Sequence, residues 1–359
     1  MRMCFQEIAH SVAKRNNLAR HIALAAALVL MICSCSTNVP KLMVSVLAVD
    51  FSSTGDEVAG LLFGERVLTQ DLLTGEERCS WDADPYTYVI QYSTQGNLLA
   101  MEYRGKSRME VMLSAAAHFI ALYETETCEL VQEIPVRFRD YAATMSFSHD
   151  DKYLVVGTVA SVGEGDNLQV IDIEAGEISR AWTFEDARIL TSTFSQDGSL
   201  LLFGLMDFNS SSANSDTQPS VHSGRAVLMD FTTGKIVNEW NEPTSRGITA
   251  VAISNDGKSI ALGFYDGTVK VVDRQSNESI VVHKHLSLVE TVVFSRDGKT
   301  VFSGSWDETV VANEVATGNT VQEFDFASAV KDFDISPDGM KIAVGLQSAS
   351  TLEFRDLGS

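Results

Sequence analysis

Residues 248–273 read ITAVAISNDGKSIALGFYDGTVKVVD, and this stretch decides how the rest of the chain is interpreted. Three apolar-rich runs are separated by Asp256-Gly257 and Asp266-Gly267, and a fourth run follows at 279–283. Asp-Gly pairs favour tight turns, because glycine accepts a positive φ and aspartate hydrogen-bonds its own backbone. The stretch therefore predicts four short antiparallel strands joined by tight turns.

The same unit recurs along the chain. Its marker is an apolar or aromatic residue, then Ser, two variable positions and usually Gly. The spacings between successive copies are 41, 55, 47, 59, 41 and 41 residues. Four-stranded units at this period are typical of propeller blades, so we predict an all-β, seven-bladed propeller, with six or eight blades as the alternatives. The copies begin at Phe51, Tyr92, Phe147, Phe194, Ile253, Phe294 and Ile335.

The third run of each unit ends near an acid that precedes a turn, and this arrangement resembles the WD40 repeat family over nearly all of residues 44–359. The resemblance implies a WD40-like β-propeller. It also assigns Ser303, Asp307 and His285 to the family's buried hydrogen-bonded tetrad. The Trp position of that tetrad is Asn313 here, so the tetrad is incomplete.

The last copy stops after its third strand. We expect residues 38–43 to supply the missing fourth strand and close the ring, which would hide both sheet edges. Residues 36–43 would then form a short tether and closing strand, and 44–359 the propeller.

Residues 1–35 have the pattern of a secretory signal, in which a basic segment precedes a short apolar core. The apolar run 22–32 is shorter than the ~20 residues that a membrane-spanning helix needs. Ile32-Cys33-Ser34-Cys35 resembles the lipobox of bacterial lipoproteins, which implies lipidation of Cys35. Ser36 after that cysteine implies export to the outer membrane. An ordinary secretory signal or a single membrane anchor is the alternative.

Charge limits the partners. Without residues 1–35 the chain has 23 basic and 47 acidic side chains, a net charge of −24. A nucleic-acid partner is excluded, because it would require a basic surface. Repulsion from anionic headgroups means that acyl chains must hold the protein at the membrane.

Two further cysteines, Cys79 and Cys128, remain in the propeller. An exported protein could bridge them. The repeat alignment places them on different blades at non-equivalent positions, which counts against a bridge, and the sequence leaves the question open.

Blades 2 to 4 are longer than the others. From the fifth residue of the marker to the acid that ends the third strand there are 16 residues in three blades, but 28, 21 and 32 in blades 2, 3 and 4. The extra length therefore lies between the second and third strands, on one face of the ring, where added loops of repeat proteins often carry function.

The insertion of blade 2 is the candidate partner-binding segment. It combines three basic residues, Arg104, Lys106 and Arg108, with Met109 and Met112, a composition that suits a protein partner or an acidic ligand. A longer hairpin with solvated charges is the alternative. The insertion 161–167 offers two carboxylates but lacks the ligand spacing of a calcium loop. The insertion 208–224 is rich in Ser and Asn and is interpreted as a loop, either a surface insertion without a role or a lid.

Motifs of catalysis and cofactor binding are absent from the sequence. It has no complete phosphate loop, dinucleotide fingerprint, haem-attachment motif or Gly-x-Ser-x-Gly elbow. No metal set is apparent. We therefore expect no cofactor, no metal and no enzymatic activity.

The sequence as a whole predicts an outer-membrane lipoprotein, facing the periplasm, whose propeller binds another envelope protein. The alternative is a propeller enzyme or sensor for a small envelope ligand such as a glycan. An exposed apolar and basic patch around residues 104–118 would favour the first. A deep central pocket with converging carboxylates of perturbed pKa would favour the second.

Overall fold

The computed structural model describes residues 45–63, 66–83, 87–104, 118–136, 141–159, 166–208, 222–243 and 247–358. Within these segments the chain forms β-strands and no helix. The strands form seven antiparallel sheets, the blades, and in each sheet the strand order follows the chain. The structure is therefore the seven-bladed, all-β propeller that the repeat predicts.

The first three blades take up the chain from Val46 to Trp182. Their strands are β1 (Val46–Phe51), β2 (Glu57–Leu62), β3 (Arg66–Asp71) and β4 (Glu77–Asp82); β5 (Ile90–Tyr92), β6 (Leu98–Arg104), β7 (His118–Glu124) and β8 (Leu130–Val136); and β9 (Ala142–Phe147), β10 (Tyr153–Thr158), β11 (Leu168–Asp172) and β12 (Glu177–Trp182).

The remaining four blades extend to Asp356. Their strands are β13 (Ala187–Phe194), β14 (Leu200–Phe208), β15 (His222–Asp230) and β16 (Lys235–Glu242); β17 (Ile248–Ile253), β18 (Ser259–Phe264), β19 (Thr268–Asp273) and β20 (Ser279–Lys284); β21 (Val289–Phe294), β22 (Thr300–Ser305), β23 (Thr309–Glu314) and β24 (Thr320–Asp325); and β25 (Val330–Ile335), β26 (Lys341–Leu346) and β27 (Glu353–Asp356).

We call the first strand of each blade its inner strand. The repeated marker forms the turn that follows the inner strand. In blade 5, Ser254 Oγ accepts a hydrogen bond from the backbone N–H of Ser259 at 2.9 Å and donates one to Asp256 Oδ1 at 2.8 Å. Gly257 has φ +67°, a conformation that costs glycine little. The corresponding position in blade 3 is Asp151, which adopts φ 54°. Ser, Asp and Gly thus recur together because one turn geometry uses all three.

The two faces of the ring are distinguished by these turns. The lower face carries the marker turns. The upper face is the one where inner strands begin and second strands end, as the hydrogen bond from Phe63 N to Ser45 O at 2.8 Å shows for blade 1. The described ends of the blade-to-blade links, and the strand ends that flank the three insertions, lie on the upper face.

The hydrophobic core is divided among the blade interfaces. Seven apolar clusters each join side chains of two neighbouring blades. The cluster between blades 7 and 1 packs Val46, Val49 and Phe51 against Ala343, with Leu352 and Phe354 at its edge. The ring is thus closed by side-chain packing between its first and last blades.

The closing strand predicted at 38–43 lies outside the described residues, as do the whole of 1–44 and Cys35, the predicted lipidation site. Within the described residues the sheet of blade 7 has three strands, β25 to β27.

A disulfide bond joins Cys79 and Cys128, whose Cα atoms are 5.5 Å apart. The argument that their non-equivalent repeat positions disfavour a bridge is therefore wrong. Neighbouring blades touch through non-equivalent positions, because the outer strand of one blade faces the turn between the third and fourth strands of the next. The same contact without a covalent bond brings the Trp182 ring of blade 3 against Gly234 of blade 4.

Candidate functional site on the upper face and in the central channel

The three residues assigned to the tetrad lie together in blade 6. His285 is buried, and its Nε2 is 2.8 Å from Ser303 Oγ while its Nδ1 is 3.0 Å from Asp307 Oδ2. Burial lowers the pKa of His285 below 6.5, so the neutral ring donates from Nδ1 to the carboxylate and accepts from the serine hydroxyl at Nε2.

Asn313, at the Trp position of the tetrad, takes no part in this network. Its Nδ2 donates to Gly318 O at 3.2 Å and to Thr320 Oγ1 at 3.1 Å, both near the turn at the other end of β23. The tetrad therefore works as a triad here, and Asn313 stabilises the lower turn of the blade instead.

The triad holds an exposed leucine on the upper face. Asp307 also accepts a hydrogen bond from the backbone N–H of Leu286 at 2.8 Å, and the Leu286 side chain is 96% exposed. The loop between β22 and β23 carries Trp306 and is bonded to the same link, since Trp306 N donates to Leu288 O at 3.1 Å. Trp306 and Tyr265, on the loop of the preceding blade, are 40% and 43% exposed. We call Tyr265, Leu286 and Trp306 the upper-face patch.

One edge of this patch meets the central channel. Lys331 Nζ lies 4.1 Å from the centroid of the Trp306 ring and 2.8 Å from Glu290 Oε1. The lysine charge is thus shared between a cation–π contact and an ion pair. Both charged side chains line the channel while the tryptophan faces outward.

The central channel opens on the upper face and encloses about 800 Å³. Aromatic rings from three consecutive blades line one side of its mouth. Ring centroids of Phe63 and Tyr88 are 6.2 Å apart, and those of Tyr88 and Tyr141 are 4.4 Å apart. A smaller cavity of about 320 Å³ opens on the lower face, and both cavities are lined by Asp50, Gln91, Ser192 and Thr193.

Three carboxyl groups converge in the channel, from blades 7 and 1. Val49 N donates to Asp332 Oδ2 and Phe51 N donates to Asp334 Oδ2, each at 2.9 Å, while Asp50 accepts from the backbone N–H of Tyr92. Inner strands are sheet edges with free N–H groups, and each carboxyl satisfies one of these on the neighbouring blade. The group therefore ties blades 7, 1 and 2 together around the channel.

The environment of these carboxyls favours their protonated forms. Burial raises the pKa of Asp332 to about 7 and that of Asp334 to about 6. Burial, followed by the nearby charge of Asp334, raises the pKa of Asp50 well above 3.8. Interaction between the two carboxyls also raises the pKa of Asp50. The channel thus contains the converging carboxyls of perturbed pKa that the ligand-binding alternative requires.

A buried hydrogen-bonded pair that sequence reasoning missed, His118 and Glu102, lies at the root of the blade 2 insertion. His118 Nδ1 is 2.6 Å from Glu102 Oε1, and both side chains are fully buried. Glu102 Oε2 accepts a hydrogen bond from Ala142 N of blade 3 at 2.8 Å. One sequence signal could have found this pair. Glu102 lies in β6 at a position where the alternation set by Leu98 and Ala100 predicts a buried apolar residue.

The predicted partner-binding residues are only partly placed. Arg104 is the last residue of β6 and pairs with His118 across the hairpin. Lys106, Arg108, Met109 and Met112 lie outside the described residues, as do residues 161–165 of the blade 3 insertion. In blade 4 the hairpin extends to a pairing of Phe208 with His222, so part of the insertion interpreted as a loop is strand.

Comparisons with known proteins agree with this geometry. The model of the WD domain, G-beta repeat, matches residues 234–273 and 277–311, which fall in blades 4 to 6. The protein is a seven-bladed WD40-like β-propeller. No curated protein matches its sequence.

Among solved structures, "Kuenenia stuttgartiensis Hydrazine Synthase" aligns with 90% of this propeller-containing chain and 98% of its own, with a TM-score of 0.71 and 14% sequence identity. In all, 1763 solved chains match. A likeness at this identity concerns the fold alone, because so common a propeller carries many functions.

Among the described residues there is no group of three or more His, Cys, Asp or Glu side chains that could hold a metal ion. In those parts of the chain, no helix has the length and apolar character needed to cross a membrane.

Proposed function

We propose that this propeller is a protein-binding scaffold of the cell envelope, anchored through a lipid on Cys35, and that its upper face contacts the partner. The upper-face patch carries the proposal, since Tyr265, Leu286 and Trp306 expose apolar side chains on neighbouring loops of a rigid ring. Tyrosine and tryptophan dominate the binding energy of protein interfaces, because they bury a large area with few rotatable bonds.

The support beneath the patch favours binding over mere exposure. Leu286 is nearly fully exposed, yet its backbone is tied to Asp307, which His285 holds from inside the blade. A side chain presented on an ordered backbone loses little conformational entropy when it binds. The patch is therefore organised before the partner arrives.

Because β6 ends and β7 begins on the upper face, the proposed contact surface would include the blade 2 insertion between them. Arg104, Lys106 and Arg108 would attract an acidic region of the partner, and Met109 and Met112 would pack against its apolar side chains. Steering by these basic groups would act locally within a protein of net charge −21.

The location in the envelope is supported by the disulfide bond. A disulfide bond such as Cys79–Cys128 forms and persists in an oxidising compartment. Such bonds are common in exported proteins and rare in cytosolic ones. Export agrees with the signal predicted at 1–35. We propose the outer membrane as the site of the lipid anchor, with the propeller facing the periplasm.

The test is affinity purification of the C-terminally tagged protein from detergent-solubilised membranes after mild cross-linking. We expect an acylated Cys35 peptide and a stoichiometric protein partner by mass spectrometry. The variant Leu286→Asp with Trp306→Ala should lose the partner, because it places a charge and a cavity in the patch.

The chain offers a matched control. Leu73 is 95% exposed, against 96% for Leu286, but it lies in a lower-face turn, so Leu73→Asp should retain the partner. Changing Arg104, Lys106 and Arg108 together to Ala tests the blade 2 insertion separately. Retention of the partner by the Leu286 and Trp306 variant would refute the patch, and an unacylated Cys35 would refute the anchor.

A further inference from the structure

The proposed contact between the upper-face patch and a protein partner does not use the central channel. The volume of the channel is that of a small-molecule binding site. At about 800 Å³ it lies within the ~300–1,000 Å³ typical of small-molecule sites. Pockets of this kind combine apolar walls with a few polar groups that orient the ligand. The channel has both, on opposite sides of its mouth.

The apolar side consists of flat rings. Phe63, Tyr88 and Tyr141 come from blades 1, 2 and 3 and form a continuous row, with centroid distances of 6.2 and 4.4 Å. Tyr88 and Tyr141 are half-buried, and Phe63 is 43% exposed. Their ring planes are tilted by 33° and 44° to one another, so the row curves around the mouth.

The polar side is largely neutral. Thr191, Thr249 and Thr291 place hydroxyl groups along the inner strands of blades 4 to 6. Lys331 and Glu290 line the same mouth but neutralise each other at 2.8 Å, with side chains only 15% and 27% exposed. A closed ion pair still offers a donor and acceptors without presenting a net charge to the ligand.

Burial raises the pKa of each of the deeper carboxyls, which lowers their negative charge. Asp332 accepts from Val49 N and from Thr291 Oγ1, the latter at 2.7 Å, while Asp334 accepts from Phe51 N and Asp50 accepts from Tyr92 N. These carboxyls are occupied by the inner strands. Among the charged side chains that line the channel, Glu290 and Lys331 are therefore paired with each other, and the three carboxyls are hydrogen-bonded to the inner strands.

We propose that the upper mouth of the channel binds a neutral saccharide, with sugar rings stacked on Tyr88 and Tyr141 and hydroxyl groups bonded to the threonine and Glu290–Lys331 side. A pyranose ring has C–H groups on its faces and hydroxyl groups around its edge, which matches an aromatic wall facing neutral polar groups. An anionic ligand fits poorly in a protein of net charge −21. A cationic ligand fits poorly beside Arg188, which lines the same cavity.

The experiment is isothermal titration calorimetry on the purified full chain with glucose, N-acetylglucosamine, cellobiose, maltose and N,N′-diacetylchitobiose. Tetramethylammonium chloride and sodium phosphate serve as the cationic and anionic probes. We expect at least one saccharide to bind and neither ion to bind. Binding of an ion alone, or of none of the saccharides, would overturn the proposal.

Variants place the site. Tyr141→Ala should weaken saccharide binding about tenfold by removing a stacking ring, and Tyr141→Phe, which keeps the ring, should weaken it less. Tyr265→Ala removes an exposed tyrosine of the same face that does not line the channel, so it should bind as the parent does. Thermal unfolding of each variant establishes that it is folded.

This proposal and the scaffold proposal fail separately. Leu286→Asp should leave saccharide binding unchanged, because Leu286 is outside the channel lining. Saccharide binding that Tyr141→Ala does not weaken would place the site elsewhere and refute the channel, whatever the result of the partner purification.

Discussion

Removing the Cys79–Cys128 bridge should destabilise the propeller measurably without abolishing its fold. The bridge spans a sequence separation of 49 residues, and the chain entropy that a loop of this size removes from the unfolded state corresponds to about 4 kcal/mol at 25 °C. The folded state retains other contacts at this interface, among them the hydrogen bond from Trp81 Nε1 to Cys128 O at 3.0 Å. The expected loss therefore arises mainly from the unfolded chain.

The size of the thermal effect follows from the size of the domain. With an unfolding entropy of ~2.1 cal/mol/K per residue over about 310 residues, 4 kcal/mol corresponds to a fall in Tm of about 6 °C. Circular dichroism with and without reductant measures this fall. Strand content below the transition should stay the same, since each blade forms its own sheet.

The control is the double variant Cys79→Ser/Cys128→Ser. It should melt close to the reduced parent and should not respond to reductant, which attributes the effect to this bridge. The redox state in the cell is measured by blocking free thiols during lysis and mapping the peptides by mass spectrometry. Two blocked thiols at positions 79 and 128, or a Tm insensitive to reductant, would refute both the bridge and the export it supports.

Three further predictions concern the ring and its turns. His285→Ala should lower the free energy of unfolding by about 3 kcal/mol in urea titrations, because it leaves a carboxylate and a hydroxyl without their buried partner; a loss below 1 kcal/mol would count against the network. Since burial raises the pKa of Asp332 from 3.8 to about 7, the folded state binds this proton more tightly than the unfolded chain, so its contribution to stability is greatest below pH 4 and is lost as the pH rises through 7. Asp332→Asn should therefore flatten the decline in unfolding free energy between pH 5 and 7.5, and an unchanged slope would contradict this. Gly267→Ala should lower the free energy of unfolding far more than Gly339→Ala, which should cost about 1–2 kcal/mol. Both glycines have positive φ, but a Cβ at 267 would clash with His285 O, while one at 339 meets nothing within 4 Å. Equal losses would contradict the steric argument.

Much of the fold could be read from short patterns. Every inner strand ends at the first residue of the repeated marker, from Phe51 to Ile335, and every third strand ends at its acid, from Asp71 to Asp356. These boundaries are local, because the Ser-x-Asp-Gly turn satisfies its hydrogen bonds within six residues. The triad of blade 6 was also found by pattern, since its His, Ser and Asp stand at characteristic positions of one repeat.

The channel and its aromatic row could not be found this way. Phe63, Tyr88 and Tyr141 occupy unlike positions of their repeats, and each reads alone as an ordinary loop or strand aromatic. Asp50, Asp332 and Asp334 likewise occur in inner strands nearly three hundred residues apart along the chain. Only closure of the ring brings blade 7 beside blade 1. No pattern in either segment predicts that these carboxyls lie close together.

The sequence by itself therefore determined the strands, the turns, the number of blades and the face that carries the insertions, because each depends on hydrogen bonds and alternation within one repeat. The tertiary structure decided what lies between repeats: the Cys79–Cys128 bridge, the shared carboxyls and the aromatic row. Such contacts depend on how far one blade is rotated and shifted against the next. That offset is set by side-chain packing across the interface, which a comparison of equivalent positions cannot show.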